Sequence, residues 1–167
     1  MQRHIFETEC AAASTPAYAL QGLMMVGPAI MQFGTQEQKD YFLPRIYSGD
    51  CYFCQGFSEP NSGSDLASLR TRAIRDGDDY VVDGSKIWTT HAHFANWIFL
   101  IARSSTEGKP QAGITFLLAP MTTKGITVRP IISISGEHEL NEVFFDAVHI
   151  PVKNRLGDEN KGWDVAK

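Results

Sequence analysis

The stretch LRTRAIRDGDDYVVDGSKIWTT, Leu69–Thr90, decides the fold. It has the alternation of strands on either side of Asp76-Gly77, a dipeptide favoured in tight hairpins, and Asp83-Gly84 marks a second turn. Four further strand-like runs come after it: NWIFLIARS, AGITFLLAP, GITVRPIISI and LNEVFFDAVHIP, separated by Gly, Pro and charged residues. With the run from Cys51, this makes about seven strands and no intervening helix. The fold class expected is α+β: a short N-terminal helical segment followed by an antiparallel β-barrel or sandwich.

Upstream of Asp50 the chain reads as helical. Leu20, Leu23, Met24 and the group Pro28, Ala29, Ile30 and Phe33 recur at three-to-four spacing within Ala11–Phe33. Met24, Met25 and Met31 read as core packing in preference to a ligand-lining stripe. Gly34 stops this helix, and Thr35 to Gln38, TQEQ, opens the next with a capping box. The second helix should turn Tyr41, Phe42 and Ile46 inward and end at YSGD. A third helix begins near Gly162 and stops with the sequence. Two helices are too few for a bundle and a lone helical start has no stability of its own, so both ends are expected to be cut.

Composition narrows the function classes. The chain has 167 residues, enough for one domain or one plus part of another, with 43% hydrophobic and 20% charged residues, a globular balance. A net charge of −4 gives no support to nucleic-acid binding. No apolar run reaches the roughly 18 residues of a membrane span, and MQRHIFETEC lacks the apolar stretch of a secretory leader. The expected location is the cytoplasm. Cys10, Cys51 and Cys54 then read as reduced thiols. Cys51 and Cys54 are spaced C-x-x-C but lie in a strand-like run, where residues three apart face opposite ways, so packing is preferred to zinc or redox chemistry.

Two stretches carry chemistry. In CQGFSEPNSGSDLAS, Cys54–Ser68, a Gly/Ser-rich turn comes after a strand. It is either a plain strand-to-helix turn with Ser64 or Asp65 as N-cap, or a concavity of backbone N–H groups for an anion. Glu59, pinned before Pro60, could be a general base or a structural acceptor for nearby backbone. In KIWTTHAHFANW, Lys86–Trp97, an indole beside Thr89 and Thr90 at a strand end suits a flat heteroaromatic ligand, or is a Trp half-buried at a sheet end. His91 and His93 form H-x-H without a third ligand at metal spacing. His138, in GEHELNEV, reads as a turn or interface residue. No nucleophile elbow, dinucleotide fingerprint or Walker loop occurs.

Taken together, these segments resemble the acyl-CoA dehydrogenase family from about Tyr18 to Lys167. GTQEQKDYFLPRIYSGD resembles the last helix of its N-terminal domain, and GFSEPNSGSDLASLRTRA its first signature. DDYVVDGSKIWTTHAHFANW is similar to its W-x-T hairpin, and GEHELNEVFFDAVHIPVKNRLGDENKGW to its closing strands and linker. The resemblance implies a partial N-terminal helical domain at residues 1–50, a middle β-domain at 51–153, and at 154–167 the approach to a C-terminal helical domain. It implies FAD, held by the strand end Gln55, Gly56, Phe57 and Ser58 and by Trp88, Thr89 and Thr90, with Gly63 and Ser64 at the diphosphate or the thioester substrate. The reaction implied is α,β-dehydrogenation of an acyl-CoA, with electrons passing to an electron-transfer flavoprotein. The family's catalytic glutamate and the contacts of its homo-oligomer lie in the helical domain expected beyond Lys167, so no catalytic residue is assigned here and the isolated chain is expected to be inactive. His91 and GEHELNEV depart from many members. The alternatives are an acyl-CoA oxidase or nitroalkane-oxidase relative, and a non-catalytic β-domain that retains no FAD.

Overall fold

The structure, a computed structural model, describes residues 2–15 and 20–167. Helix α1 spans Gln2–Ala12, earlier than the helix expected from Ala11, and Tyr18 lies outside the described residues. A π-helical segment, Gln21–Val26, runs directly into α2, Gly27–Phe33, and α3 covers Gln36–Ser48. The capping box forms as expected: Thr35 Oγ1 accepts from Gln38 N, and Gln38 Oε1 accepts from Thr35 N. Gly34 ends α2, and Gly49, in the left-handed conformation, ends α3.

The buried stripe on the first helices differs from the expected one. Gly22, Val26, Gly27 and Ile30 face inward, whereas Leu20, Leu23, Met24, Met25 and Met31 are exposed. Gly22 lies against α3, where a Cβ would fall 3.2 Å from Ile46, and the large side chains Leu23, Met24 and Met25 after it are turned away. Phe42 and Ile46 are buried on α3, but Tyr41 is exposed and packs edge-on against Phe42 and Trp97.

Eight strands form one sheet: β1 Phe53–Gly56, β2 Arg72–Asp76, β3 Asp79–Lys86, β4 Trp97–Arg103, β5 Ile114–Pro120, β6 Ile126–Ile132, β7 His138–Pro151 and β8 Arg155–Leu156. Their order is β6-β7-β3-β2-β4-β5-β8, with β1 paired to β4. The sheet is mostly antiparallel but does not close, because its end strands β6 and β8 do not pair with each other. The expected barrel is therefore an open, curled sheet. β1 is parallel to β4, and β2 pairs with β4 only at Arg72 and Arg103, so β1 and β2 share one side of β4 end to end.

The Asp76-Gly77 hairpin is present between β2 and β3. The second turn expected at Asp83-Gly84 is absent. There β3 continues through an irregularity in its pairing with β7, and Gly84 sits at φ +143° where a Cβ would fall 2.8 Å from Thr71 Cα. A glycine after an acidic residue marks a bulge as readily as a turn.

β4 and β5 are buried on both faces. Phe99, Ile101, Phe116 and Leu118 join the helical residues in one core, and Ile98, Leu100, Leu117 and Ala119 meet Tyr80, Val82, Val143 and Val148 inside the curl. Cys51 belongs to the first core and Cys54 to the second, as their spacing in a strand requires. Helix α4, Gly162–Ala166, closes against the first core.

Candidate functional site

β1 delivers Gln55–Ser58 to the rim of the sheet, and a buried ion pair anchors the chain as it leaves that strand. Lys86 Nζ, fully buried, donates to Glu59 Oε1 at 2.8 Å and to the Phe57 carbonyl at 3.1 Å. Glu59 also accepts from Arg70 N at 2.6 Å and Thr71 N at 2.9 Å. Burial pushes the Lys86 ammonium down to about 8, against the opposing pull of Glu59. Burial alone would raise the Glu59 carboxyl, but the Lys86 charge and the bonds from Lys86, Thr71 and Arg70 outweigh it and hold the carboxyl below its ordinary value. Both carboxylate oxygens are thus engaged. Glu59 is a structural acceptor.

The turn after Glu59 is closed by reciprocal bonds, Glu59 N to Ser62 O at 2.8 Å and Ser62 N to Glu59 O at 3.0 Å. A short 3₁₀ turn, Leu66–Ser68, comes after Asp65, and neither Ser64 nor Asp65 caps it with a side chain; the Ser62 hydroxyl donates to the Asp65 carbonyl instead. Gly63 and Ser64 are exposed, and the space a Gly63 Cβ would occupy is open. Gly56 differs: its missing side chain is replaced by Ile98, Leu100 and Lys86, all within 3.3 Å of a Cβ position.

A hydrogen bond from Ile87 N to Ser58 O, 2.9 Å, brings the end of β3 beside this rim. Trp88, Thr89 and Thr90 come next in the chain. Trp88 and His91 both adopt left-handed backbone, φ +61° and +59°, a costly conformation for bulky residues that the surroundings must enforce. β7 supplies the restraint: Thr89 N donates to Asn141 O, Asn141 Nδ2 donates to Thr89 O, and His91 N donates to Glu139 O. Trp88 is exposed, while Thr89 Oγ1 is buried with no hydrogen-bond partner. Leaving such a group unpaired costs about 1–3 kcal/mol, so a polar group arriving here is favoured.

His91 and His93 do not converge as an H-x-H chelate. His91 Nδ1 pairs with the Tyr52 hydroxyl at 2.8 Å, and His93 stacks on His138 with ring centroids 3.8 Å apart. Gln55 and Phe57 line a different space, a cavity of about 460 Å³ whose apolar wall includes Met25, Phe99 and Phe116. The structure therefore joins Ser58 to Trp88–Thr90 on one side of the rim and sets Gln55 and Phe57 on a cavity at the other. Sequence reasoning missed Lys86 and Asn141. Lys86 stands two residues before the Trp, but its partner lies 27 positions away.

Known proteins match this arrangement. The family model for the acyl-CoA dehydrogenase middle domain matches residues 54–148, and the model for the N-terminal domain matches residues 1–50. The chain belongs to the acyl-CoA dehydrogenase family. Acyl-CoA dehydrogenase FadE26 of Mycobacterium tuberculosis is 43% identical over 99% of this chain and 42% of its own length. The structure of the Tcur3481-Tcur3483 steroid ACAD G363A variant superposes with a TM-score of 0.92 at 38% identity, over 98% of this chain and 42% of that one. A glutaryl-CoA dehydrogenase from Mycobacterium smegmatis, solved in complex with FADH2, superposes with a TM-score of 0.73 at 32% identity, over 83% of this chain and 35% of that one. The chain thus spans about two-fifths of the length of the family member FadE26. No helix among its described residues is long and apolar enough to cross a membrane.

Proposed function

We propose that this chain supplies the flavin- and thioester-facing segment of an FAD-dependent acyl-CoA dehydrogenase whose electrons pass to an electron-transfer flavoprotein. The observation that carries the reading is the bond from Ile87 N to Ser58 O, which brings together the two motifs that, by resemblance to the family, would hold flavin. The M. smegmatis relative solved with FADH2 supports the same cofactor. When bound, FAD supplies the hydride acceptor for the β-carbon of the thioester.

The chain's own residues orient and bind. Ser58, Trp88 and Thr90 would hold the ring, and the unpaired Thr89 hydroxyl is available to a polar ring atom. Gly63 and Ser64, exposed with open space above Gly63, would take the diphosphate or the thioester. The cavity beyond Gln55 and Phe57, with Met25, Phe99 and Phe116 on its apolar wall and Gln32, Asp164 and Lys167 among its polar lining, suits an acyl thioester. An acyl group carried on a steroid heads the substrate panel, from the name of the neighbouring structure. Residues 1–50 and 51–153 are the proposed helical and β units. Glu59 is spent on Lys86 and backbone and is not free to take the α-proton; by resemblance to the family, the base would come from a group outside these residues.

The test is titration of the chain with FAD, read by flavin absorbance and fluorescence quenching, for wild type and Thr89→Val. Wild type retains flavin, and added acyl-CoA does not bleach it. Thr89→Val lowers flavin affinity while leaving the flavin-free protein as stable as before or up to about 1 kcal/mol more so, because the substitution removes an unpaired buried hydroxyl. A wild-type chain that retains no flavin leaves only a β-domain, and turnover by the chain alone overturns the assignment of the base.

A further inference from the structure

The GEHELNEV segment has no part in the flavin contacts proposed so far, yet it reaches into the site. Asn141, from this segment, is fully buried although His138 and Glu139 just before it are exposed. Its main-chain carbonyl accepts from Thr89 N at 2.9 Å, and its Nδ2 donates to Thr89 O at 3.0 Å. One residue therefore grips both backbone groups of Thr89, which directly follows the left-handed Trp88 and stands two residues before the left-handed His91.

The side chain also donates from Nδ2 to the Glu139 carbonyl at 3.4 Å and meets two histidines. Asn141 Nδ2 lies 3.0 Å from His93 Nδ1, and Oδ1 lies 2.7 Å from His138 Nε2. The bond to the Thr89 carbonyl fixes which end of the amide is nitrogen, since only N–H can donate there. It follows that His93 Nδ1 accepts and His138 Nε2 donates. Both rings then carry a proton on Nε2, and their stacking, with centroids 3.8 Å apart, holds them together against the amide.

We propose that Asn141 is a positioning residue: clasped by His93 and His138, its amide and carbonyl set the Trp88–His91 loop in the conformation that meets the flavin. This rests on the flavin reading of the site. Protonation of His93 at Nδ1 would set an N–H against the Asn141 amide nitrogen and release the clasp. Burial holds His93 below the ordinary imidazole range, and the neighbouring His138 and His91 act in the same direction. The other ionisable neighbours of this loop are Glu139, 4.0 Å from His91 Nε2, and Tyr52, bonded to His91 Nδ1.

The experiment compares the wild-type chain with Asn141→Asp and Asn141→Leu, using Val148→Ala further along β7 as a control for simple destabilisation. Three quantities are read: the ring-nitrogen NMR shifts of His93 and His138, the hydrogen-exchange rate of the Thr89 amide, and FAD affinity. In wild type at neutral pH both rings carry the proton on Nε2, and Thr89 is protected. Asn141→Asp, which keeps the shape but cannot donate, moves a proton onto His93 Nδ1, speeds Thr89 exchange about tenfold and weakens FAD by a similar factor. Asn141→Leu loosens Thr89 without altering the charge of the site, and Val148→Ala changes none of the three. The proposal falls if Asn141→Asp matches wild type in tautomer and exchange, or if Val148→Ala produces the same changes. A wild-type chain that takes up no FAD defeats the flavin reading alone; tautomer and exchange then decide whether the clasp exists. An Asn141→Asp chain that loosens Thr89 yet binds FAD as tightly as wild type defeats the positioning role alone.

Discussion

Lys86 and Glu59 show how much one buried pair organises. Together they bind Phe57, Arg70 and Thr71, so the rim strand, the turn after it and the start of β2 all hang on two side chains. Removing one partner leaves a buried charge, and Lys86→Met is expected to cost about 3–5 kcal/mol in urea denaturation. Lys86→Met combined with Glu59→Gln should cost clearly less than the two changes summed. The acid side offers a second measurement. The Glu59 carboxyl is depressed in the folded chain, so its contribution is present above the ordinary value of 4.5 and is lost as pH falls through the folded value. Glu59→Gln should flatten the fall in melting temperature below pH 4.5; an unchanged acid profile would mean that other carboxyls set it. The sequence by itself leaves Glu59 open between base and structural acceptor. Its three donors come from positions 70, 71 and 86, which no local pattern brings together.

At the scale of elements, local signals hold where local physics decides. The TQEQ box, Gly34 and the Asp76-Gly77 hairpin each depend on a few adjacent residues, and each is present. Local reading fails where a neighbour decides. Asp83-Gly84 has the composition of a turn, but pairing with β7 carries the strand through it, and the close approach of Ile46 to Gly22 puts a glycine on the buried stripe of the first helices. The parallel pairing of β1 with β4 joins segments more than 40 residues apart and leaves no mark on either. Two glycines test the distinction between fold and site. Gly84→Ala should destabilise by more than about 1 kcal/mol, since its φ and the nearness of Thr71 forbid a Cβ. Gly63→Ala, in open space, should leave stability within about 0.5 kcal/mol of wild type while weakening binding of FAD or acyl-CoA. Equal melting temperatures for the two variants would remove the distinction.

For the whole molecule, the open sheet and the turned-out helix leave apolar surface uncovered. Leu20, Leu23, Met24, Met25 and Met31 all lie exposed along Leu20–Met31. Such surface on one chain favours association. Sedimentation should show mass rising with concentration, and the double change Met25→Glu with Met31→Glu should return the chain to monomer; a wild-type monomer throughout would show that this surface is tolerated in water. The fold class is legible as a whole because alternation and turn residues recur along the β segment. The closure of the sheet is not, since it depends on whether the two outermost strands meet.

The three tryptophans occupy three distinct settings. Trp88 is exposed beside the rim, Trp97 packs with Tyr41, Phe42 and Phe53 under α3, and Trp163 leans on the first core from α4. Each indole is therefore a separate lamp: Trp88 emits at long wavelength and is dimmed by anything docking at the rim, Trp97 brightens or reddens when α3 lifts, and Trp163 reports the C-terminal turn. With two of the three replaced by Phe, emission from the remaining one distinguishes occupancy of the site from loosening of either flank.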